Sequence, residues 1–141
     1  MGRVLAIDYG EKRIGTALSD PNQIFPTPFL LVKNLGIKAV LTQLEKIIQE
    51  QGVERVVLGL PLLLDGTSTQ KSDEVLGFFA KLKKRFNIPI ELYDEAFSTK
   101  DAMQIVKANN TKKRGRKRDL DNIAASVILE NYLNSRRNEK K

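Results

Sequence analysis

Acidic residues close two of the β-rich runs in this sequence of 141 residues. Asp8 follows Val4 and Ala6 on one face of the first run, so its carboxylate stands at the end of an otherwise apolar row. Asp94 and Glu95 close a later run, and one of them faces inward because neighbouring strand residues point to opposite sides. Taken alone, Asp8 could equally be a turn residue that helps a hairpin to bend.

A third element carries an acidic residue as well, since Asp121 lies near the start of the last predicted helix. It shares a helical stripe with Ala125 and Ile128, which places it on the buried side, although an N-terminal cap is the alternative role. Three carboxylates at separate element ends form a coherent set for divalent cations. Two metals about 4 Å apart could activate water and stabilise the leaving oxygen of a phosphodiester. The predicted reaction is therefore phosphodiester hydrolysis.

The composition narrows the chemistry further, because the chain contains no Cys and no His. Their absence excludes disulfides, thiol nucleophiles, zinc sites built from Cys and His, and triads that use imidazole as the base. A free carboxylate is a poor general base at pH 7, so a site made of carboxylates needs burial or a hard cation. We therefore expect Mg²⁺ or Mn²⁺, in a site that holds two metals.

The charge balance points to a polyanionic partner, since 24 Lys and Arg stand against 17 Asp and Glu, a formal net charge of +7. Lys12 and Arg13 place two of these positive charges shortly after the first β-rich run, where they could contact nucleic acid. Six cations fall within seven residues, which predicts a flexible loop between the third and fourth helices that contacts nucleic-acid phosphates; the alternative is a solubilising loop. These six are Lys112, Lys113, Arg114, Arg116, Lys117 and Arg118.

Hydrophobic periodicity predicts one mixed α/β domain with a single core. Gly10 suits a positive-φ position in a hairpin between the first two strands, and Pro26 and Pro28 make the third strand an edge strand or an irregular one. The predicted order is strands at Arg3 to Asp8, Arg13 to Ser19 and Ile24 to Val32, a helix at Ile37 to Gln51, a strand at Val53 to Leu58, a helix around Val75 to Phe86, a strand at Ile88 to Tyr93, a helix capped by Ser98 or Thr99, and a last helix opened by Asp119 or Asp121.

Four motifs, spread over nearly the whole chain, resemble the YqgF family of Holliday junction resolvases, also called RuvX. The motifs are Ile7 to Gly15, Gly59 to Pro61 with Asp65 to Thr67, Tyr93 to Glu95 with Ser98 and Thr99, and Asp121 to Ala125. Two stretches depart from the family pattern. Ala96 and Phe97 stand where the family usually has Arg and Leu, and Leu62 to Leu64 stand where it tends to have Asn and Met.

The resemblance implies an RNase H-like fold, with a five-stranded mixed sheet of strand order 3-2-1-4-5 flanked by helices. It implies a single nuclease domain over residues 1–141, and we expect the basic tail from about residue 135 to be frayed. It also implies a catalytic and metal-binding site on Asp8, Glu95 and Asp121, and a role in processing the 5′ end of the 16S ribosomal RNA precursor.

Other functions remain open at this point. A resolvase of branched DNA would be a dimer, whereas an RNA-processing nuclease can be a monomer, so a monomer or a weak homodimer is expected. A non-catalytic RNA-binding module would use the same cations without cleavage. The Asp8-Tyr9-Gly10 hairpin also resembles that of actin-like ATPases and sugar kinases, but those enzymes need two such domains. A metal-free glycosidase pair of Asp8 and Glu95 conflicts with the basic charge.

The sequence shows no signal peptide and no membrane span, so we expect a cytoplasmic protein.

Overall fold

The computed structural model describes the backbone of residues 2–61, 69–94 and 117–139, and the side chains of these residues except 117–122 and 137–139. The predicted helix after Ser98 lies outside these ranges. The described elements, in chain order, are β1 (Arg3–Asp8), β2 (Arg13–Ser19), β3 (Pro26–Lys33), α1 (Ile37–Gln51), β4 (Val53–Leu60), α2 (Gln70–Arg85), β5 (Ile90–Asp94) and α3 (Lys117–Glu139).

The five strands form one mixed sheet in the order β3-β2-β1-β4-β5. β1, β2 and β3 pair antiparallel, whereas β4 is parallel to β1 and β5 is parallel to β4. The predicted five-stranded mixed sheet of order 3-2-1-4-5 is therefore confirmed. Because β1, β4 and β5 run in the same direction, their carboxyl ends lie at one edge of the sheet.

The hairpin between β1 and β2 depends on Gly10, but for a different reason from the predicted one. The φ of Gly10 is not positive; positive φ among the described glycines occurs at Gly36 and Gly52. A Cβ added at Gly10 would instead lie 2.3 Å from the carbonyl oxygen of Arg13. Glycine is required here because two stretches of backbone approach each other more closely than any side chain allows.

Helices cover both faces of the sheet. Leu5 and Ile7 of β1 pack into a core with α1 and α2 on one face. Val4 and Ala6 pack with α3 on the other. The α3 face includes the cross-strand pair Ala6 and Ala17, and small side chains let a helix approach a sheet closely. Within the described part of the chain, no helix is long and apolar enough to cross a membrane.

Element boundaries follow local chemistry. The first helix is confirmed as predicted and ends at Gly52, which adopts the left-handed conformation with a φ of 64°. The second begins earlier than its apolar pattern suggests, because Thr69 caps it and forms a reciprocal capping box with Ser72.

The last helix also begins earlier than predicted. It starts at Lys117, so Asp119 and Asp121 lie inside it and neither is its cap. The sequence-based start rested on the preference of aspartate for N-caps, whereas Lys and Arg are themselves good helix formers. The helix also continues past Asn134 to Glu139, so residues 135–139 of the tail are helical.

Candidate functional site

Asp8 is the last residue of the central strand β1 and is half-buried. Val4 and Ala6 belong to the core beneath α3, so the two-residue repeat of the strand places Asp8 on the α3 face, as predicted. Gly15 of β2 lies directly opposite Asp8. On the other side, Gly59 of β4 follows the residue that pairs with Ile7, so it occupies the same row as Asp8.

This pair of glycines is a feature of the site that sequence reasoning missed. Residues in one row of a sheet point to the same face, so the side chains beside Asp8 on the two neighbouring strands would come from Gly15 and Gly59. Neither has one. The signal was present in the first two motifs, but only the strand pairing assigns the two glycines to the two sides of Asp8.

The same row continues into β5, where Tyr93 pairs with Gly59. Tyr93 packs on Tyr132 of α3 with ring centroids 6.3 Å apart and an interplanar angle of 89°, which places it on the α3 face. Alternation then turns Asp94 to the opposite face, where it is exposed. The predicted catalytic residue Glu95 lies outside the described residues.

For Asp121, the backbone is described and the side chain is not. It lies in α3 one turn before Ala125, which is fully buried, and two turns before Ile128, which is 1% exposed. Ala125 and Ile128 of the predicted stripe are buried, and the burial of the Asp121 side chain stays a prediction. Of the three predicted carboxylates, Asp8 is the one whose side chain the structure describes.

The predicted metal site is made of hard oxygen donors. The chain offers carboxylate oxygens and no thiolate or imidazole, which fits hard cations such as Mg²⁺ or Mn²⁺ and excludes a soft-metal site. Within the described residues there is no group of three acidic side chains that could hold a metal ion. Two of the three predicted ligands, Glu95 and Asp121, have side chains beyond that part of the chain.

The predicted phosphate-binding cations divide into three groups. Lys12 is exposed and Arg13 half-buried in the β1–β2 hairpin, and Arg13 pairs with Lys33 across to β3. Lys112, Lys113, Arg114 and Arg116 lie outside the described residues. Lys117 and Arg118 are helical, which corrects the prediction that the whole basic segment is a loop. The correction follows from the earlier start of α3.

A cleft lies on the opposite face of the sheet, next to Tyr9, and we call it the Tyr9 cleft. It has a volume of about 220 Å³ and is lined by residues from the β1–β2 hairpin, the β3–α1 connection, α1 and α2. Sequence reasoning missed it, because the periodicity of α2 assigns Phe78 to the core and says nothing of an opening beside it. The lining residues are Tyr9, Asn34, Ile37, Val40, Glu74, Gly77, Phe78 and Lys81.

A polar cluster ties β5 to α3 below the Asp8 row. Arg55 donates a hydrogen bond of 2.5 Å to the carboxylate of Glu91, Tyr132 donates to the same carboxylate, and Arg136 donates to the Tyr132 hydroxyl over 2.9 Å. Burial raises the pKa of Glu91, but these hydrogen bonds and the attraction of Arg55 and Arg136 outweigh it, so its pKa lies below the ordinary value. Burial and the bond to Glu91 raise the pKa of Tyr132.

Comparison with solved structures supports the fold. RuvC of Thermus thermophilus, solved with a Holliday junction substrate, superposes with a TM-score of 0.62 and 12% sequence identity, covering 98% of this chain and 97% of RuvC. The Holliday junction resolvase of fowlpox virus superposes with a TM-score of 0.53 and 16% identity, covering 94% of this chain and 98% of the resolvase. At these identities the likeness establishes the RNase H-like fold.

Comparison of sequences supplies the family. A protein of Maridesulfovibrio salexigens named "Putative pre-16S rRNA nuclease" is 41% identical over 131 residues, which cover 93% of this chain and 97% of the relative. A protein of Desulforudis audaxviator with the same name is 36% identical and covers 96% of each chain. The family model described as "RuvX: Holliday junction resolvase" matches residues 2–135, and this chain belongs to the RuvX family.

Proposed function

We propose that this protein is a metal-dependent nuclease that hydrolyses phosphodiester bonds in structured RNA, with the 5′ end of the 16S ribosomal RNA precursor as its substrate. The observation that carries the proposal is Asp8, a carboxylate at the end of the central strand with a glycine beside it on each neighbouring strand. Neither glycine places a side chain beside this carboxylate, so the phosphodiester would lie next to Asp8. The names and identities of the two relatives support the choice of substrate.

Asp8, Glu95 and Asp121 would hold the metal in this proposal. When bound, Mg²⁺ or Mn²⁺ supplies activation of water and stabilisation of the departing oxygen. The alternation of β5 supports the choice of Glu95 over Asp94, because Tyr93 lies on the α3 face and Asp94 does not. Lys12, Arg13 and the segment from Lys112 to Arg118 would bind the phosphate backbone on either side of the cut.

A second candidate is resolution of four-way DNA junctions. The description of the family and the fold shared with RuvC favour it. A resolvase must cut two symmetry-related strands, so this function requires a dimer. The basic residues do not discriminate between the two candidates, because phosphates of RNA and DNA present the same charge.

The deciding experiment measures cleavage of two substrates by the purified protein, each in Mn²⁺ and in EDTA. One is an RNA spanning the 5′ end of the 16S precursor, and the other is a four-way DNA junction. We expect cleavage of the RNA that EDTA abolishes. The variant Asp8→Asn should lose at least about 100-fold in rate, because it removes the charge and keeps the shape. Asp94→Asn is the matched control, as it removes one carboxylate from the same edge of the sheet on the other face.

The molecular mass of the protein in solution, which shows whether it is a monomer or a dimer, is measured alongside cleavage. A monomer that cuts the RNA and leaves the junction intact supports the proposed function. A dimer that cuts the junction symmetrically favours the resolvase. Binding of RNA without any cleavage in Mn²⁺ contradicts both and indicates an RNA-binding module.

A further inference from the structure

The Tyr9 cleft contains a glycine that folding does not require. Gly77 lies in the middle of α2 and lines the cleft. A Cβ added at Gly77 would meet no atom within 4 Å, so no neighbour within the described part of the chain excludes a larger residue. Glycine inside a helix is destabilising relative to alanine. The missing side chain therefore keeps the cleft open at a cost in stability, and no described residue fills the space.

The walls of the cleft suit a flat, partly polar ring. The Tyr9 and Phe78 rings lie 4.5 Å apart and are tilted by 32°. Phe78 is buried at 3% exposure, whereas Tyr9 is half-buried, so Phe78 supports the Tyr9 ring from within the core. Glu74 and Lys81 lie two helical turns apart on the same side of α2 and supply an acceptor and a donor at the cleft.

The cleft is also held in shape by hydrogen bonds. The Asn34 side chain donates to the carbonyl oxygen of Gly10 over 2.9 Å and to the Tyr9 hydroxyl over 3.4 Å, and its own oxygen accepts from the backbone of Gly36. These bonds tie the β3–α1 connection to the β1–β2 hairpin. The Tyr9 hydroxyl accepts from Asn34 and still has its own proton to donate.

Exposed lysines adjoin two of the lining residues in the chain. Lys33 precedes the lining residue Asn34, Lys38 follows the lining residue Ile37, and both lysines are exposed. The carbonyl oxygen of Lys12 accepts a hydrogen bond from the backbone of Asn34, which brings the hairpin to the same rim. Positive charge around an aromatic wall is the combination that binds single-stranded nucleic acid, where the cations follow the phosphates and the aromatic ring stacks on a base.

The cleft is large enough for one part of a polymeric ligand and too small for a whole small molecule. At about 220 Å³ it is smaller than the roughly 300–1,000 Å³ of sites that enclose a whole small molecule. Its position relative to Asp8 agrees with this choice. Tyr9 is the next residue after Asp8, and the two side chains lie on opposite faces of the sheet.

We propose that the Tyr9 cleft binds one unpaired nucleobase of the strand that the enzyme cuts, while the backbone of that strand passes over the end of β1 to Asp8. This inference rests on the proposed function and adds a substrate property to it. The enzyme would require a single-stranded nucleotide beside the cut. Fully paired substrates would be bound through their phosphates alone.

The test combines variants of the cleft with changes in the RNA. The probes are a fluorescent single-stranded RNA of the precursor 5′ region, the same RNA with one abasic nucleotide at successive positions, and the matching duplex, all bound in EDTA. We expect one abasic position to weaken binding about 5- to 100-fold, as loss of a single stacked base does. Gly77→Leu should weaken binding of the intact single strand by a similar factor and abolish the effect of the abasic site.

The melting temperature of cleft variants is the second measurement. Gly77→Ala should raise the melting temperature by roughly 1–4 °C, because alanine is the better helix former. Ala80→Leu is the matched control, since it adds the same side chain to α2 at an exposed position that does not line the cleft. It should leave RNA binding unchanged.

The outcomes separate this inference from the function on which it rests. If Gly77→Leu binds the single strand as tightly as the natural chain, or weakens single strand and duplex equally, the cleft is not a base site. The same holds if every abasic RNA binds like the intact one. If the natural chain neither binds nor cuts any of the RNAs, the proposed function itself is wrong.

Discussion

Asp8 of β1 and Gly15 of β2 lie directly opposite each other across the antiparallel ladder, at the edge of the sheet where the parallel strands end. Gly59 of β4 occupies the same row on the other side. Neither neighbouring strand therefore places a side chain beside this carboxylate. This relationship connects strand register with chemistry, because a shift of one residue in either pairing would place a side chain beside Asp8.

We predict that Gly15→Val lowers the rate of RNA cleavage at least about tenfold, because the valine side chain would occupy the space beside Asp8. Valine suits a β-strand, so β2 itself should tolerate it. Gly15→Ala should give a smaller loss, since alanine adds one methyl group. Initial cleavage rates check the series, with melting temperatures as the control for folding. Equal rates for all three proteins would show that space beside Asp8 is not needed.

We predict that Mn²⁺ raises the melting temperature of the natural chain by several degrees and that Asp8→Asn removes this shift. A ligand present at 100 times its dissociation constant adds about 2.7 kcal/mol to the stability of the folded state. Thermal unfolding at increasing Mn²⁺ concentration measures the shift without any need for activity. Asp94→Asn should keep it. An undiminished shift in Asp8→Asn would place the metal elsewhere.

Much of this fold could be predicted from local sequence. α1 and the hairpin strands begin and end as expected, because apolar spacing and the stop at Gly52 are local signals. The reason for Gly10 could not be predicted, since the distance between its Cβ position and the Arg13 carbonyl depends on how the hairpin closes. The start of α3 was predicted too late because Asp119 and Asp121, which are typical N-cap residues, lie inside the helix.

The candidate site, like the fold, has features that local sequence predicts and features that depend on strand pairing. The side of the sheet to which Asp8 belongs follows from strand alternation and was predicted. The neighbours of Asp8 depend on which strands pair and in what register, and periodicity does not contain that information. The Tyr9 cleft combines residues from the β1–β2 hairpin, the β3–α1 connection, α1 and α2, so no local pattern marks it.

We predict that neutralising Lys113, Arg114, Arg116 and Lys117 weakens RNA binding and flattens its dependence on salt. Each lost phosphate contact lowers the slope of log K against log salt concentration by about 0.7 to 0.9. We expect little change in the melting temperature, because closely spaced cations repel one another and their removal costs little stability. Binding isotherms at several salt concentrations measure the slope. An unchanged affinity and slope would make this segment a solubilising one and would move the phosphate path to Lys12 and Arg13.

We predict that the Glu91 carboxylate stabilises the contact between β5 and α3 above about pH 5 and that this stabilisation is lost in acid. Its pKa is lowered in the folded protein, so protonation disfavours the folded state. The contribution is complete above the ordinary pKa of about 4.3 and disappears as the pH falls through the lower, folded value. Because its side chain is 43% exposed, we expect no more than about 1 kcal/mol.

The variant Glu91→Gln tests this, since glutamine cannot ionise and makes weaker hydrogen bonds to Arg55 and Tyr132. At pH 7 it should melt about 2–4 °C below the natural chain. The gap should close as the pH is lowered below 4, because the natural carboxylate then becomes protonated as well. Glu50→Gln, on the exposed side of α1, is the control and should leave no gap at any pH. A gap that stays constant from pH 7 to pH 3 would mean that packing around Glu91, and not its charge, holds α3 to β5.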